Sequence, residues 1–153
     1  MTDVVQAREA AIAAETQVES TFNGVLDRLH ALNSRLLTLH TAIKQAQPVA
    51  PGSVCLEMYP CGPRCSGCPH PRWVKYSWTA GTDTAPGVLI SVNLDAKKRD
   101  PILALARKEP HYKATATLIR EAKAILAERT KLLSAVRTLR FVAKPGSLAN
   151  SHD

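Results

Sequence analysis

Aromatic side chains are scarce in this chain: two Phe, two Trp and three Tyr among 153 residues. Glycine is outnumbered by proline, seven against ten, which excludes a collagen-like repeat. No apolar run approaches the ~18 uninterrupted residues of a membrane-spanning helix, so no membrane association is expected. A hydrophobic content of 45% excludes a disordered polymer. Also missing are a Gly-rich phosphate loop, an H-E-x-x-H pair and a nucleophile elbow. His30, His40 and His111 stand isolated, so no enzyme is expected. The opening Met1-Thr2-Asp3 lacks the basic start of a secretory signal, and the alanines after Arg8 are broken by Glu9 and Glu15. A cytoplasmic protein is expected, in which clustered thiols bind metal rather than form disulfides.

What is present is unevenly spread. Trp73, Tyr76 and Trp78 fall within six positions, and seven of the prolines lie between Pro48 and Pro86. The ends are aliphatic and the middle is rich in Pro, Cys and aromatics. The net charge of +7 divides into −1 over residues 1–47, +3 over 48–109 and +5 over 110–153. Such a surplus favours polyanionic partners, nucleic acid first, unless it is merely a solvated surface.

Apolar residues at Val18, Phe22, Val25, Leu29, Leu32, Leu36, Leu39 and Ile43 step by four and three without a break. That is a heptad seam, and it predicts a long helix over 3–47, stopped by Pro48 and Pro51. A second helix is predicted over 110–144, with Leu118, Ala122, Ile125, Arg129, Leu132, Val136 and Leu139 as its seam. Ile119, Leu126 and Leu133 add a further apolar column that has no partner inside a two-helix hairpin. Burying it argues for self-association into a bundle, a homo-oligomer. Within the seam, Arg129 is expected to pair with Glu15 or Asp27, or to extend its charge to solvent. Residues 145–153 read as a frayed, disordered tail.

The insert, 48–109, is expected to hold a two-stranded ribbon. Trp73–Thr79 and Gly87–Asn93 are its strands, and a short helix over Pro101–Lys108 follows. A two-stranded ribbon is marginal alone and needs a staple. The fold class expected is therefore mainly α: a long antiparallel helical hairpin, coiled-coil-like, carrying a small Cys-rich, zinc-stapled β-hairpin insert.

The staple is sought in Cys55-Leu-Glu-Met-Tyr-Pro-Cys61-Gly-Pro-Arg-Cys65-Ser-Gly-Cys68-Pro-His70, which holds all four cysteines. Cys65-Ser-Gly-Cys68 is a C-x2-C knuckle with glycine inside it, and Cys61 stands four residues before Cys65. Tetrahedral zinc takes four thiolate or imidazole ligands at such spacings. The spacing leaves Cys55 or His70 as the fourth ligand, and using every cysteine favours Cys55. Four protein ligands leave no open position, so the zinc would be structural. An iron–sulfur cluster on the same thiolates is the alternative cofactor, and free buried thiols or disulfides the alternatives to any.

Cys61-Gly-x-x-Cys65-x-x-Cys68 followed by His70-x-x-Trp73-x-x-Tyr76 resembles a family of uncharacterised bacterial proteins. Their pattern is a C-G-K-x-x-C-x-C segment, a short spacer and H-G-P-Y-x-Y. The similarity runs from Tyr59 to Arg140; Cys61, Gly62, Cys65, Cys68 and His70 match, with Trp73 and Tyr76 as looser aromatic matches. Here the middle cysteine is displaced by one position, Pro71 stands where the family has glycine, and Cys55 is additional. The resemblance implies a ribbon followed by a long helix, and an association with transposons and other mobile elements.

Cations supply the remaining candidates. Arg64, Arg72 and Lys75 lie near the aromatic cluster, and Lys97-Lys98-Arg99 follows the ribbon. Arg120, Lys123, Lys131 and Arg137 fall on or beside the outer face of the second helix. Cations interleaved with aromatic faces suit contacts to phosphates and bases. The expected function is a basic accessory protein that binds nucleic acid, DNA first, or a protein complex acting on it. A coiled-coil adaptor for protein–protein assembly is the alternative.

Overall fold

The structure, a computed structural model, describes residues 3–144. The expected tail, 145–153, lies outside the described residues. Two long helices flank a small sheet. Helix α1 spans Val4–Gln45, and the Asp3 carboxylate caps it by accepting from the Val5 amide at 3.0 Å. Strands β1 (Val54–Tyr59), β2 (His70–Trp78) and β3 (Leu89–Asn93) follow, then the single-turn helix α2 (Pro101–Ala104) and helix α3 (Tyr112–Val142). No helix among the described residues is long and apolar enough to cross a membrane.

The expected two-stranded ribbon is one strand short. The sheet has three antiparallel strands in the order β1-β2-β3, with Cys55 opposite Val74, Tyr59 opposite His70, and Trp78 opposite Leu89. The added strand is Val54-Cys-Leu-Glu-Met-Tyr59, whose first three residues are all buried. A run buried on both faces lacks the alternation that marks a half-buried strand. Helix α2 is also shorter than expected, ending at Ala104 and not Lys108. Asp100 caps it, its carboxylate accepting from the Ile102 amide at 2.8 Å.

Helices α1 and α3 run antiparallel, as two forked ion pairs register: Arg28 with Glu128 and Arg35 with Glu121, each at 2.6 Å. The sheet and α2 pack onto only one end of this pair. There Leu36, Leu39 and Ile43 of α1 meet Val54, Leu56, Trp73 and Leu94, with Ala116, Ile119 and Ala122 of α3 closing the core. The apolar column led by Ile119 therefore has its partner inside the chain. Ile119 is fully buried and Leu133 nearly so, which removes the reason for placing an intermolecular layer on them. The buried α3 face takes in the Ile119 column beside Ala122 and Arg129 of the expected seam, because α3 packs against both α1 and α2.

Where the sheet ends, the seam continues uncovered. Val18 and Phe22, which the heptad pattern places inside, are about half exposed, at 54% and 47%. A groove of about 790 Å³ runs between the helices from Ser66 outward, lined chiefly by Phe22, Leu26, Leu29, Leu133 and Leu139.

Candidate metal centre

The β1–β2 connection is built around ligands. Tyr59 and His70 are the last paired residues of the two strands, so 60–69 form the loop and His70 opens β2. Pro60, Pro63 and Pro69 stiffen that loop, and the Cys68–Pro69 peptide is cis. Cys61, Cys65, Cys68 and His70 converge there, their ligand atoms all within 4.8 Å of one another. The Cys61 and Cys68 sulfurs are 3.4 Å apart. His70 Nε2 lies 3.1 Å from the Cys61 sulfur and 3.4 Å from that of Cys65.

These separations fit a tetrahedral ion. Metal–sulfur bonds of ~2.3 Å and metal–nitrogen bonds of ~2.0–2.1 Å place neighbouring ligand atoms roughly 3.5–3.8 Å apart. The three shortest contacts are slightly tighter and the whole group lies within 4.8 Å, so small movements would seat a cation. Three thiols and one imidazole are donors for a borderline-soft metal. The group can hold a metal ion.

Cys55 is not part of it. It sits in β1, 2% exposed, opposite Val74 and well before the loop. Its neighbour is Gln47, which joins the end of α1 to the sheet: the side-chain carbonyl accepts from the Val54 amide at 3.2 Å, and the amide donates to the Ile43 carbonyl. Burial pushes the Cys55 thiol up to about 11, and its sulfur is not among the converging ligand atoms. The preference for Cys55 as fourth ligand is thus corrected to His70. Counting cysteines favoured the wrong residue because burial in a strand and exposure in a loop look alike in a one-letter code.

Within the loop the thiols are unequal. The Cys61 backbone amide donates to the Cys68 sulfur at 3.3 Å. That amide and the Cys61 thiol stabilise the Cys68 thiolate, drawing it down to about 6. Cys61, which keeps the shared proton against Cys68 and Cys65, is pushed up to about 12. A bound cation would draw all three thiols to thiolates and expel their protons.

Arg129 anchors the loop from behind. Only 4% exposed, it donates through Nη2 to the carbonyls of Gly67 at 2.8 Å and Pro69 at 2.9 Å, and through Nε to Asn33 Oδ1 at 2.7 Å. Burial lowers its pKa while the Cys68 and Cys65 thiolates oppose that shift. Neither Glu15 nor Asp27 is its partner: carbonyls of the loop and an amide of α1 are. The sequence offered one signal, an arginine at a seam position, but nothing in its spacing reveals carbonyl partners some sixty residues away.

The candidate phosphate-binding cations are dispersed. Arg64 is exposed on the loop, and Arg72 lies over the Tyr59 ring, 4.7 Å from its centroid. Lys123 is engaged by the Asp100 carboxylate. Arg120 and Lys131 are exposed on α3, and the Arg137 guanidinium reaches toward Gly67. Lys75, Lys97 and Arg99 do converge, around one cleft beside β2 and β3, whereas Lys98 does not line it. Of the two tryptophans, Trp73 is core and Trp78 is 58% exposed.

No family model matches this chain, and comparisons with curated proteins and with solved structures found no match either.

Proposed function

We propose that this chain is a non-enzymatic accessory protein that binds nucleic acid, with duplex DNA the first ligand to test. A structural zinc ion on Cys61, Cys65, Cys68 and His70 would staple the loop that carries its exposed cations. One observation carries the reading: on the sheet module and α3 four acids are taken up in ion pairs, which leaves Asp83, Asp95 and Glu109 against a larger set of unpaired cations. Glu57 pairs with Lys44, Asp100 with Lys123, Glu121 with Arg35 and Glu128 with Arg28. Among the described residues, Arg64, Lys97, Lys98, Arg99, Arg120 and Lys131 are exposed and have no ion-pair partner within 4.0 Å. The field of that surface is positive, which draws polyphosphates. Zinc suits the donor set better than an iron–sulfur cluster, since one of the four ligands is an imidazole. A reducing cytoplasm suits thiolate ligation, and the resemblance adds a mobile-element setting.

The test is fluorescence anisotropy with labelled duplex DNA, single-stranded DNA and RNA at rising salt. Affinity that falls steeply between about 50 and about 200 mM salt supports the reading. No binding at the lowest salt overturns it.

The uncovered groove at the far end of the helix pair favours a second reading, a scaffold for protein assembly. Apolar surface of that extent on a helix pair favours burial against another helix, and self-association would be sited there, away from Ile119. Phe22→Glu with Leu139→Glu would then turn an oligomer into a monomer in sedimentation. Sedimentation of the unaltered protein as a monomer would remove self-association.

A further inference from the structure

We infer that the cleft between the Pro51-Gly52 turn and the β2–β3 sheet seats one phosphate group of a nucleic-acid backbone. The inference rests on the nucleic-acid reading and locates its main contact. Three cations surround the cleft, Lys75, Lys97 and Arg99, over a floor of Val92 and Leu94, and no acidic side chain lines it. Its volume of about 290 Å³ holds roughly ten waters at ~30 Å³ each, ample for a phosphate and bridging solvent.

The cations are placed rather than scattered. Lys75 projects from β2, and its ammonium donates to the Ala104 carbonyl at 2.9 Å, which holds the group still and leaves donors to spare. Lys97 and Arg99 belong to a tight turn in which both backbone amides donate to the Leu94 carbonyl, at 3.1 and 3.0 Å. Between them Lys98 has a φ of 51°, a left-handed conformation that a lysine seldom takes. That residue absorbs the bend, so its neighbours on either side border one cleft and Lys98 does not.

None of the three cations is in an ion pair with a neighbouring acid. Asp95 accepts from the Trp73 backbone amide at 3.0 Å, and Asp100 caps α2 and pairs with Lys123. Three like charges around a concavity repel one another, and an anion that bridges them removes the repulsion. Tetrahedral phosphate oxygens suit this donor set: a guanidinium fork with two ammonium groups.

The probes are a short labelled DNA duplex and inorganic phosphate alone. Two double variants remove equal charge: Lys97→Ala with Arg99→Ala at the cleft, and Arg64→Ala with Arg120→Ala elsewhere. The cleft variant should bind DNA at least about tenfold more weakly and flatten the salt slope by about one. The control should lose only about two- to threefold. Equal losses in both variants, or full affinity in the cleft variant, would overturn the inference. Amide resonances of Gly52, Lys97 and Arg99 report on inorganic phosphate, which should shift them far more weakly than DNA does. Phosphate that shifts them when no DNA binds would sink the nucleic-acid reading and reassign the cleft to free phosphate. No shift with either probe sinks both.

Discussion

Arg129 of α3 and Gly67 of the Cys-rich loop are joined by a hydrogen bond of 2.8 Å from guanidinium to carbonyl. The same nitrogen reaches Pro69, so the carbonyls flanking Cys68 are held from one side by a buried cation. Three thiolates and a neutral imidazole around a divalent ion leave one net negative charge. Arg129 stands where it offsets that charge and ties the loop to both long helices.

Replacement of Arg129 by Ala should therefore cost more than an ordinary surface change. It leaves two loop carbonyls and Asn33 short of a donor, about 2–4 kcal/mol of stability in urea unfolding. Metal retention against a competing chelator should fall about 10–100-fold. Arg129→Lys should recover part of the retention, because the charge returns without the fork. Unchanged retention in Arg129→Ala would separate the helix pair from the loop.

Chelation tests what the loop supports. A two-stranded ribbon would collapse without metal, but the observed sheet is buried through Val54, Leu56 and Trp73. Metal removal should loosen 60–69 and leave the sheet standing. Tryptophan emission should change little, since Trp73 stays in the core and Trp78 is already 58% exposed. Proteolysis should cut at the loop only in the chelated protein. A large red shift on chelation would show that the core depends on the metal.

Acid should weaken the pairing of α1 with α3. Hydrogen bonds from Arg28 hold the Glu128 carboxyl below its ordinary value, as Arg35 does for Glu121. A carboxylate depressed in the folded state stabilises the fold fully above its unfolded value of about 4.5, and that contribution fades as pH falls through the depressed value. Both pairs are exposed, so the effect is modest. Glu128→Gln should melt slightly below the unaltered protein at neutral pH, and the difference should close in strong acid. A difference that persists unchanged in acid would assign it to something other than the ion pair.

Long-range order is where the sequence proved least readable. The helices follow from unbroken four–three spacing and from prolines just beyond α1, and they emerged within a few residues of expectation. The knuckle Cys65-Ser-Gly-Cys68 also reads locally, since ligands a few residues apart meet whatever the rest does. Strand β1 does not: Val54–Tyr59 is recognisable only once its partners across β2 and α1 are known. Its misreading carried Cys55 into the metal set. The buried face of α3 was hidden for the same reason, because Ile119 joins a core built by α1 and the insert together. Arg129 looked like a seam residue in search of an acid, and its partners are backbone carbonyls, which every sequence has everywhere.

The ligand set is read out by the metal content of three proteins: the unaltered chain, Cys55→Ser and His70→Ala, each purified without chelator. About one zinc per chain is expected in the first two and well under one in His70→Ala, since zinc needs its fourth protein ligand to close the site. Full occupancy in His70→Ala with loss in Cys55→Ser, or an unaltered protein without metal, would contradict it.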